Sequence, residues 1–517
     1  MSEKDLVMES EIKSVGPGQL KVCWGVKVEG GKRLGCGEEV SDPKIIGEVM
    51  KLINEFMRRV ERRKDVLLSE SNTPFDRAIN ELSSWLTLVE TKVKEINDEN
   101  IVKMRRAMIN IGEKMLTLAK QAREKWLKTY RRELEKLIEK LRRNETTIII
   151  TGEPSNKNKS FTAHLYTKHL SIKITRVRGS SVTINISLVG SRGISVVTPR
   201  LFGDDVLKPM RYGLIMTDGS IDKRGYLVMN TNQLWQSVMW ILTWPGRNGM
   251  RIHAVGLNEA GINVMWSLMA VDHRSEFVSK AKVAEEVSKL SDEEKFLTFL
   301  LTAILGDGNI DIINKTVRLV IGGSKHELWR GIIDRMRALG FRDIDQKVVK
   351  HYSINSSKAV ELARKWLSNP MIKALVEDLA LLPDAEKLRN IIALASAKVK
   401  PIGRSSVEVA GVRMSVHINN EGYVELRIRR KRLEDARAVL ERLRNAGYNA
   451  ELREYGGRFE VHISQDEIKR HLELVVKVCE VLRRMHEEAV GEGNTERAWA
   501  TAKAMANLNC PTQDPRA

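Results

Sequence analysis

The chain is 517 residues long, with 42% hydrophobic and 30% charged residues and a formal net charge of +19 at pH 7. That length implies about three or four domains, and no apolar run reaches the roughly 18–20 residues that a membrane-spanning helix needs. The basic excess points to a polyanionic partner, nucleic acid first, against the competing explanation that Lys/Glu-rich surfaces also mark heat-stable proteins.

Met1-Ser2-Glu3-Lys4-Asp5 opens no signal-peptide pattern, so a cytoplasmic protein is expected. Cys23, Cys36, Cys479 and Cys510 are too scattered to suggest a disulfide framework or a zinc site. In chain order, residues 1–42 read as a short β/turn segment. A basic amphipathic helical region follows over 43–145. Its apolar residues Met115, Leu118, Ala119, Ala122, Trp126, Tyr130, Leu134, Leu137 and Leu141 recur at three- and four-residue steps. From Ile101 to Arg143 there are fourteen Lys/Arg against five Asp/Glu. The apolar face predicts a coiled-coil-like hairpin that offers a surface for self-association, and the polar face a phosphate-contacting arm. Residues 146–200 are β-rich, with β-branched runs separated by Gly, Ser and Asn. Within them 152–160 superficially resembles a phosphate-binding loop, but it lacks the second glycine before Lys159-Ser160, and Pro154 removes a backbone donor.

The next stretch repeats itself. Tyr212-Gly213-Leu214-Ile215-Met216-Thr217-Asp218-Gly219-Ser220-Ile221-Asp222 is echoed by Leu301-Thr302-Ala303-Ile304-Leu305-Gly306-Asp307-Gly308-Asn309-Ile310-Asp311. Each is an apolar helical run ending in Asp-Gly, then a strand, then a helix with a Leu-Trp pair (Leu234-Trp235, Leu328-Trp329). The spacing predicts repeat units at 201–290 and 291–372, a helical linker at 373–400 and a degenerate third repeat at 401–490, before a helical or irregular tail at 491–517. Asp218 and Asp307 are 89 residues apart and Trp235 and Trp329 are 94 apart, which suggests a longer hairpin turn in the second copy, at 311–315. Helices bearing Trp266 and Trp366 are expected to close the repeats, with Trp235, Trp240, Trp244, Trp266, Trp329 and Trp366 as core side chains. His253, His351 and His462 read as packing or surface residues. In the third copy Val424–Tyr448 follows Val317–Phe341 at an offset of 107, which puts Met414 where the second copy has Asp307.

A carboxylate at the C-terminal end of an apolar helix, followed by Gly, sits where the helix dipole favours a cation. Two such ends side by side, with the small residues Thr217 and Gly306 allowing close approach, would let Asp218 and Asp307 share a hard ion. Mg²⁺ held there activates water and stabilises the leaving oxygen of a phosphodiester.

The pattern G-L-I-x-x-D-G at 213–219, with its second copy at 302–308, resembles the LAGLIDADG motif of homing endonucleases and related maturases. The resemblance implies an α+β fold of repeated αββαββα units with the two motif helices at the core interface. It also implies Asp218 and Asp307 as catalytic and metal-binding residues, Gly213, Thr217, Ala303 and Gly306 as helix-contact positions, and β-ribbons lying in the major groove. Arg211-Tyr212 and Thr302 depart from the motif, standing where apolar or small residues and Gly are usual. Lys223 and Lys350 are candidates for a basic residue near the metal. With Arg224, Arg318, Arg427, Arg429 and Arg430 they are also candidates for nucleic-acid contact. Ser324-Lys325-His326-Glu327-Leu328-Trp329, 360–367 and Cys510-Pro511-Thr512 also resemble the PaREP paralogous repeat proteins of hyperthermophilic crenarchaea (second group, type b), which implies a mobile or multiplied gene. Two functions remain open: a metal-dependent DNA endonuclease or its decayed relic, and a non-catalytic, maturase-like or accessory protein. Double-stranded DNA is the expected partner, with RNA as the alternative.

Overall fold

The computed structural model describes residues 20–31, 33–153, 160–177, 181–345, 349–398, 405–491 and 493–511. The phosphate-loop look-alike at 154–159 and the first nineteen residues of the 1–42 segment lie outside them. The chain is mixed α+β and divides into two units, Met1–Ala397 and Lys398–Ala517.

The first unit opens with β1 (Lys21–Lys27) and β2 (Leu34–Glu39), then α1 (Pro43–Arg62), α2 (Lys64–Leu67), α3 (Asp76–Lys94), α4 (Glu99–Lys125) and α5 (Arg131–Arg142). Asp42 caps α1 by accepting from the Lys44 amide at 2.8 Å, with Pro43 at the first helical position. Between α4 and α5 the residues Trp126–Tyr130 form a π-helical turn. The sequence explains it: apolar residues at 118, 122, 126, 130 and 134 step by four, drifting about 40° per step on a 3.6-residue helix, and a wider turn brings them back onto one face. Trp126, Tyr130 and Leu134 are accordingly fully buried.

These helices are not a free arm. Their apolar faces pack on each other and on the body of the unit. Asp378, completely buried on a later helix (α12, Pro370–Leu379), takes a hydrogen-bonded ion pair from Arg105 at 2.7 Å and another from Lys92 at 2.9 Å. Trp85 Nε1 donates to the Asp378 carbonyl at 2.9 Å. Of the apolar face named above, Met115, Leu118, Ala119, Trp126, Tyr130, Leu134, Leu137 and Leu141 are buried within the chain.

The β-rich segment supplies β3 (Thr147–Thr151), β4 (Phe161–Tyr166), β5 (Leu170–Arg176), β6 (Val182–Leu188) and β7 (Ile194–Thr198). The first repeat region then runs α6 (Asp204–Met216), β8 (Gly219–Ile221), β9 (Leu227–Thr231), α7 (Leu234–Leu242), β10 (Gly246–Leu257), β11 (Ile262–Ala270), α8 (Lys280–Ser288). The second runs α9 (Glu293–Asp307), β12 (Gly308–Asp311), β13 (Thr316–Gly322), α10 (Arg330–Ala338), β14 (Arg342–Asp345), β15 (Val349–Asn355), α11 (Ser357–Trp366), followed by α12 and α13 (Glu386–Ser396). Both have the element order αββαββα. Strand order agrees too: β8-β9-β11-β10 in the first and β12-β13-β15-β14 in the second. The first set continues through β10 into β6 and the remaining strands, one 11-stranded sheet whose β7 pairs with β10 off the main path. The second stands as a 4-stranded sheet.

Three sequence expectations need correction. Trp266 lies on β11, not on a helix, because 262–270 alternates buried and half-buried residues at a strand period. It is nonetheless core, as are the other five tryptophans named above. The first hairpin connection (222–226) is no shorter than the second (312–315), and the extra residues of the second copy form two 3₁₀ turns, Gly323–Lys325 and Glu327–Trp329, before α10. The cysteines pair: Cys23 with Cys36 across the β1–β2 hairpin and Cys479 with Cys510, at Cα separations of 5.5 and 5.6 Å. Folding removes the sequence separation of 13 and 31 residues that made them look unrelated.

The second unit comprises β16 (Ser406–Val409), β17 (Val412–Ile418), β18 (Val424–Arg430), α14 (Leu433–Asn445), β19 (Ala450–Tyr455), β20 (Arg458–Ile463), α15 (Gln465–Arg470), α16 (Leu472–Gly491) and α17 (Thr495–Asn507), with sheet order β16-β17-β18-β20-β19. The offset of 107 aligns β18 with β13 and α14 with α10. Gly340 and Gly447, both at positive φ, end the two helices with the same pair of bonds, Gly340 N to Arg337 O and Phe341 N to Met336 O against Gly447 N to Arg444 O and Tyr448 N to Leu443 O. Met414, however, is buried on strand β17, so this copy lacks the leading helix as well as the carboxylate. Among the described residues no helix is long and apolar enough to cross a membrane.

Candidate functional site

Helices α6 and α9 lie side by side, and their small residues are why. A Cβ added to Gly213 would sit 2.0 Å from Thr302 Oγ1 and 2.6 Å from the Phe299 carbonyl; one added to Gly306 would sit 2.3 Å from Thr217 Oγ1. Gly213 and Thr302 occupy equivalent motif positions, as do Thr217 and Gly306. Each helix therefore presents one glycine and one threonine, in opposite order, and each glycine receives the other helix's threonine. Equivalent residues meeting each other is what a twofold relation requires. Thr302 also bonds across the interface, donating to Met210 O at 3.1 Å, so the departure from Gly adds a hydrogen bond where a hydroxyl fits. Around these contacts Leu207, Met210, Leu214, Phe299, Leu300 and Ala303 are buried; the larger side chains contribute about 1.5–3 kcal/mol each.

The Arg211-Tyr212 departure is accommodated as well. Arg211 is buried, but its Nη1 pairs with Glu276 at 2.7 Å, its Nε donates to Thr243 O at 2.8 Å, and its guanidinium lies 4.6 Å from the Trp244 ring centre. The Tyr212 hydroxyl donates to Glu286. Desolvation pushes the Arg211 pKa down and the Tyr212 pKa up from their ordinary values.

This packing brings the two carboxylates to the same end of the helix pair. Asp218 Oδ2 lies 3.1 Å from the position of a Cβ on Gly306, the residue before Asp307. Asp218 accepts from Gln236 Nε2, and the buried Gln236 is in turn fixed by the Thr231 hydroxyl. Solvent reaches Asp307, yet the crowding around it and the charge of Asp218 raise its carboxyl above the usual carboxylate value, with Lys325, Lys387 and Lys280 acting in the opposite sense.

Two of those lysines hold matching places. Lys280, first residue of α8, donates to Thr217 O at 3.2 Å, at the end of α6. Lys387, second residue of α13, donates to Gly306 O at 2.6 Å and Leu305 O at 2.9 Å, at the end of α9. Desolvation lowers both ammonium pKa values while the fields of Asp218 and Asp307 raise them. Lys325 stands exposed on the 3₁₀ turn after β13. Sequence reasoning missed all three lysines and Gln236. A signal existed for two of them: Lys280 and Lys387 sit in the first turn of their helices, where the dipole disfavours a cation, so something else must hold them there.

The remaining candidates lie elsewhere. Lys223 and Arg224 are exposed on the β8–β9 turn, where Arg224 pairs with Asp222 at 2.9 Å. Lys350 is on β15, its charge acting on Asp343. Arg318 is half-buried on β13, and its Nε has no hydrogen-bond partner among the described residues. In the second unit Arg427 pairs with Glu425 at 2.6 Å, Arg429 pairs with Glu460 and Arg430 donates to a backbone carbonyl, a network that Arg453 completes.

A divalent ion needs six or more oxygen donors, of which water supplies some. The protein oxygens at the helix ends already accept from Lys280 and Lys387, and one carboxylate accepts from Gln236. Among the described residues there is no group of three or more His, Cys, Asp or Glu able to hold a metal. What the helix ends leave for a dication is the two carboxylates, one of them shared with Gln236.

No protein-family model matches the chain, and no curated protein matches it. Among solved structures the chain is similar to the crystal structure of full-length DUF199/WhiA from Thermatoga maritima. Identity is 11%, over 59% of this chain and 91% of that one, with a TM-score of 0.22. At that TM-score the likeness carries no inference.

Proposed function

We propose that the chain is a double-stranded-DNA-binding protein of a mobile or multiplied genetic element, built on two LAGLIDADG-like repeats and acting without hydrolysis. The observation that carries this reading is the reciprocal Gly/Thr seam between α6 and α9, which joins two units of identical element and strand order with their acidic helix ends together. Such a pair offers two sheets in pseudo-symmetric positions. The exposed or half-buried positions on their strands include Asn230, Arg251 and Ser267 on the first and Asn309, Arg318 and Arg342 on the second. Arg and Asn are the side chains that read guanine and adenine edges bidentately in the major groove. The net charge of +19 supplies the sequence-independent attraction to phosphate. The accessory reading is favoured over the endonuclease because ammonium groups already occupy the helix-end carbonyls.

The test is binding of duplex DNA across a salt series. Affinity is expected to fall steeply and log-linearly with salt, and Arg318→Ala to weaken binding to selected sequences by about tenfold, the low end of one lost bidentate contact. Binding to neither DNA nor RNA at any salt concentration removes the proposal, while a preference for RNA would favour the maturase-like alternative.

A further inference from the structure

We infer that the carboxylate end of the α6–α9 pair is a metal-independent contact point for one DNA backbone phosphate, in which Lys280, Lys387 and Lys325 take the place of a divalent ion; this rests on the DNA-binding reading above. The charges balance without an ion. Asp218 and Asp307 contribute two negative charges, and the two helix C-termini add roughly half a charge each. Three ammonium groups act on the same place, so the sum is near zero. A dication entering here would leave the site strongly positive and would have to displace Lys280 from Thr217 O and Lys387 from Leu305 O and Gly306 O.

An anion meets different conditions. An ammonium group has three donors. Lys280 uses one on Thr217 O and Lys387 uses two on adjacent carbonyls, which leaves N–H groups for a phosphate oxygen. Lys325, exposed on its turn, adds its field to theirs. The carboxylates then have a positioning role: their fields draw the lysines to the two helix ends, and the lysines meet the backbone. Lys280 and Lys387, on helices that are not counterparts in the two repeats, place one ammonium group at each helix end.

The experiment has two readouts on the full-length protein. Duplex DNA affinity is measured in EDTA and in 5 mM Mg²⁺ at matched ionic strength, and Mn²⁺ binding is followed by electron paramagnetic resonance. Equal affinity within about twofold in the two buffers is expected, with no Mn²⁺ bound below millimolar concentration. Lys280→Gln and Lys387→Gln should each weaken DNA binding three- to tenfold, while Lys289→Gln, which removes the same charge from the exposed residue that follows α8, should change it less than twofold. Tighter binding in Mg²⁺ by tenfold or more, lost in Asp218→Asn, would overturn the inference, as would Asp-dependent Mn²⁺ binding by the unaltered protein. Equal effects of the three lysine substitutions would also overturn it, reducing the lysines to general charge. If the Gln variants fail to fold, Lys280→Arg and Lys387→Arg keep the charge and should bind DNA within threefold of the parent; a tenfold loss in folded Arg variants counts against the inference. Failure of all variants and the parent to bind DNA would sink the functional reading itself, a separate result.

Discussion

Gly306 lies so close to Thr217 that a Cβ on it would fall 2.3 Å from Thr217 Oγ1 and 2.6 Å from Thr217 Cβ. Thr217 Oγ1 is held by a 2.9 Å bond to Gly213 O within its own helix, so it has little room to retreat. Gly306→Ala must therefore part the helices, and overpacking of this kind costs about 1–3 kcal/mol. Gly213→Ala meets two backbone atoms besides Thr302 Oγ1 and belongs at the top of that range. Chemical denaturation should show both losses, and Thr302→Ala alone should cost about 1 kcal/mol for its lost bond to Met210 O. Tolerance of Gly213→Ala without loss would mean that α6 and α9 do not pack through this seam.

The repeated motif made the helix pair and its shared carboxylate end legible, because a close helix contact needs small side chains and the sequence displays them. The element order was also readable, since apolar period and Gly punctuation survive in both copies. The cationic half of the site was not. Lys280 is 62 residues beyond Asp218 and Lys387 is 80 beyond Asp307, so no common spacing marks them; only folding back onto the helix ends gives them a shared role. The disulfides were hidden for a related reason, since partners 13 and 31 residues apart meet only when a hairpin and a helix pair form. The basic stretch after Ile101 divides, because Lys103, Arg106, Lys114 and Lys120 are exposed while one member points inward. Its Arg105 is an interior ion-pair partner, not an exposed phosphate contact.

Asp378 joins the N-terminal helices to the repeat region. It is fully buried between Arg105 and Lys92, and removing one member of a buried pair leaves the others unpaired at a cost of about 3–5 kcal/mol. Asp378→Ala should lower the unfolding midpoint of the first unit accordingly. Arg105→Met should cost a similar amount, and the double variant less than the sum of the two. Additive losses would show that the three charges do not act as one group.

His164 gives the β-rich segment an acid limit. It is buried on β4, its Nε2 lies 3.1 Å from Thr151 Oγ1, and burial holds its pKa down at about 4 against an ordinary 6.5. The unfolded chain takes up the proton first as pH falls, so stability is full above about 6.5 and drains away down to about 4. The loss is of order 2–3 kcal/mol. Urea unfolding at pH 7.5 and pH 4.5 measures it, and His164→Gln should remove that part of the difference. An unchanged difference in the variant would assign the acid sensitivity to other groups.

Asp384 works in the reverse sense. It follows α12 and accepts from the Leu234 amide at the start of α7, while its Oδ1 has no partner among the described residues. Burial, reinforced by the charge of Glu81 and opposed by the Leu234 bond, pushes its carboxyl up to about 6. The folded protein therefore binds this proton more tightly than the unfolded chain, and stability falls as pH rises from about 4 to about 6 and stays lower above. Asp384→Asn removes the buried charge and keeps an oxygen for the Leu234 amide. It should stabilise the first unit by roughly 1–2 kcal/mol at pH 8, part of the ~1.4 kcal/mol per unit that the raised carboxyl represents. At pH 4 the gain should vanish, because there the aspartic acid is already neutral in the fold. Urea unfolding of parent and variant at the two pH values decides it; an equal gain at both, or a loss at pH 8, would mean that the ionised carboxylate is better accommodated by the α7 N-terminus than its burial implies.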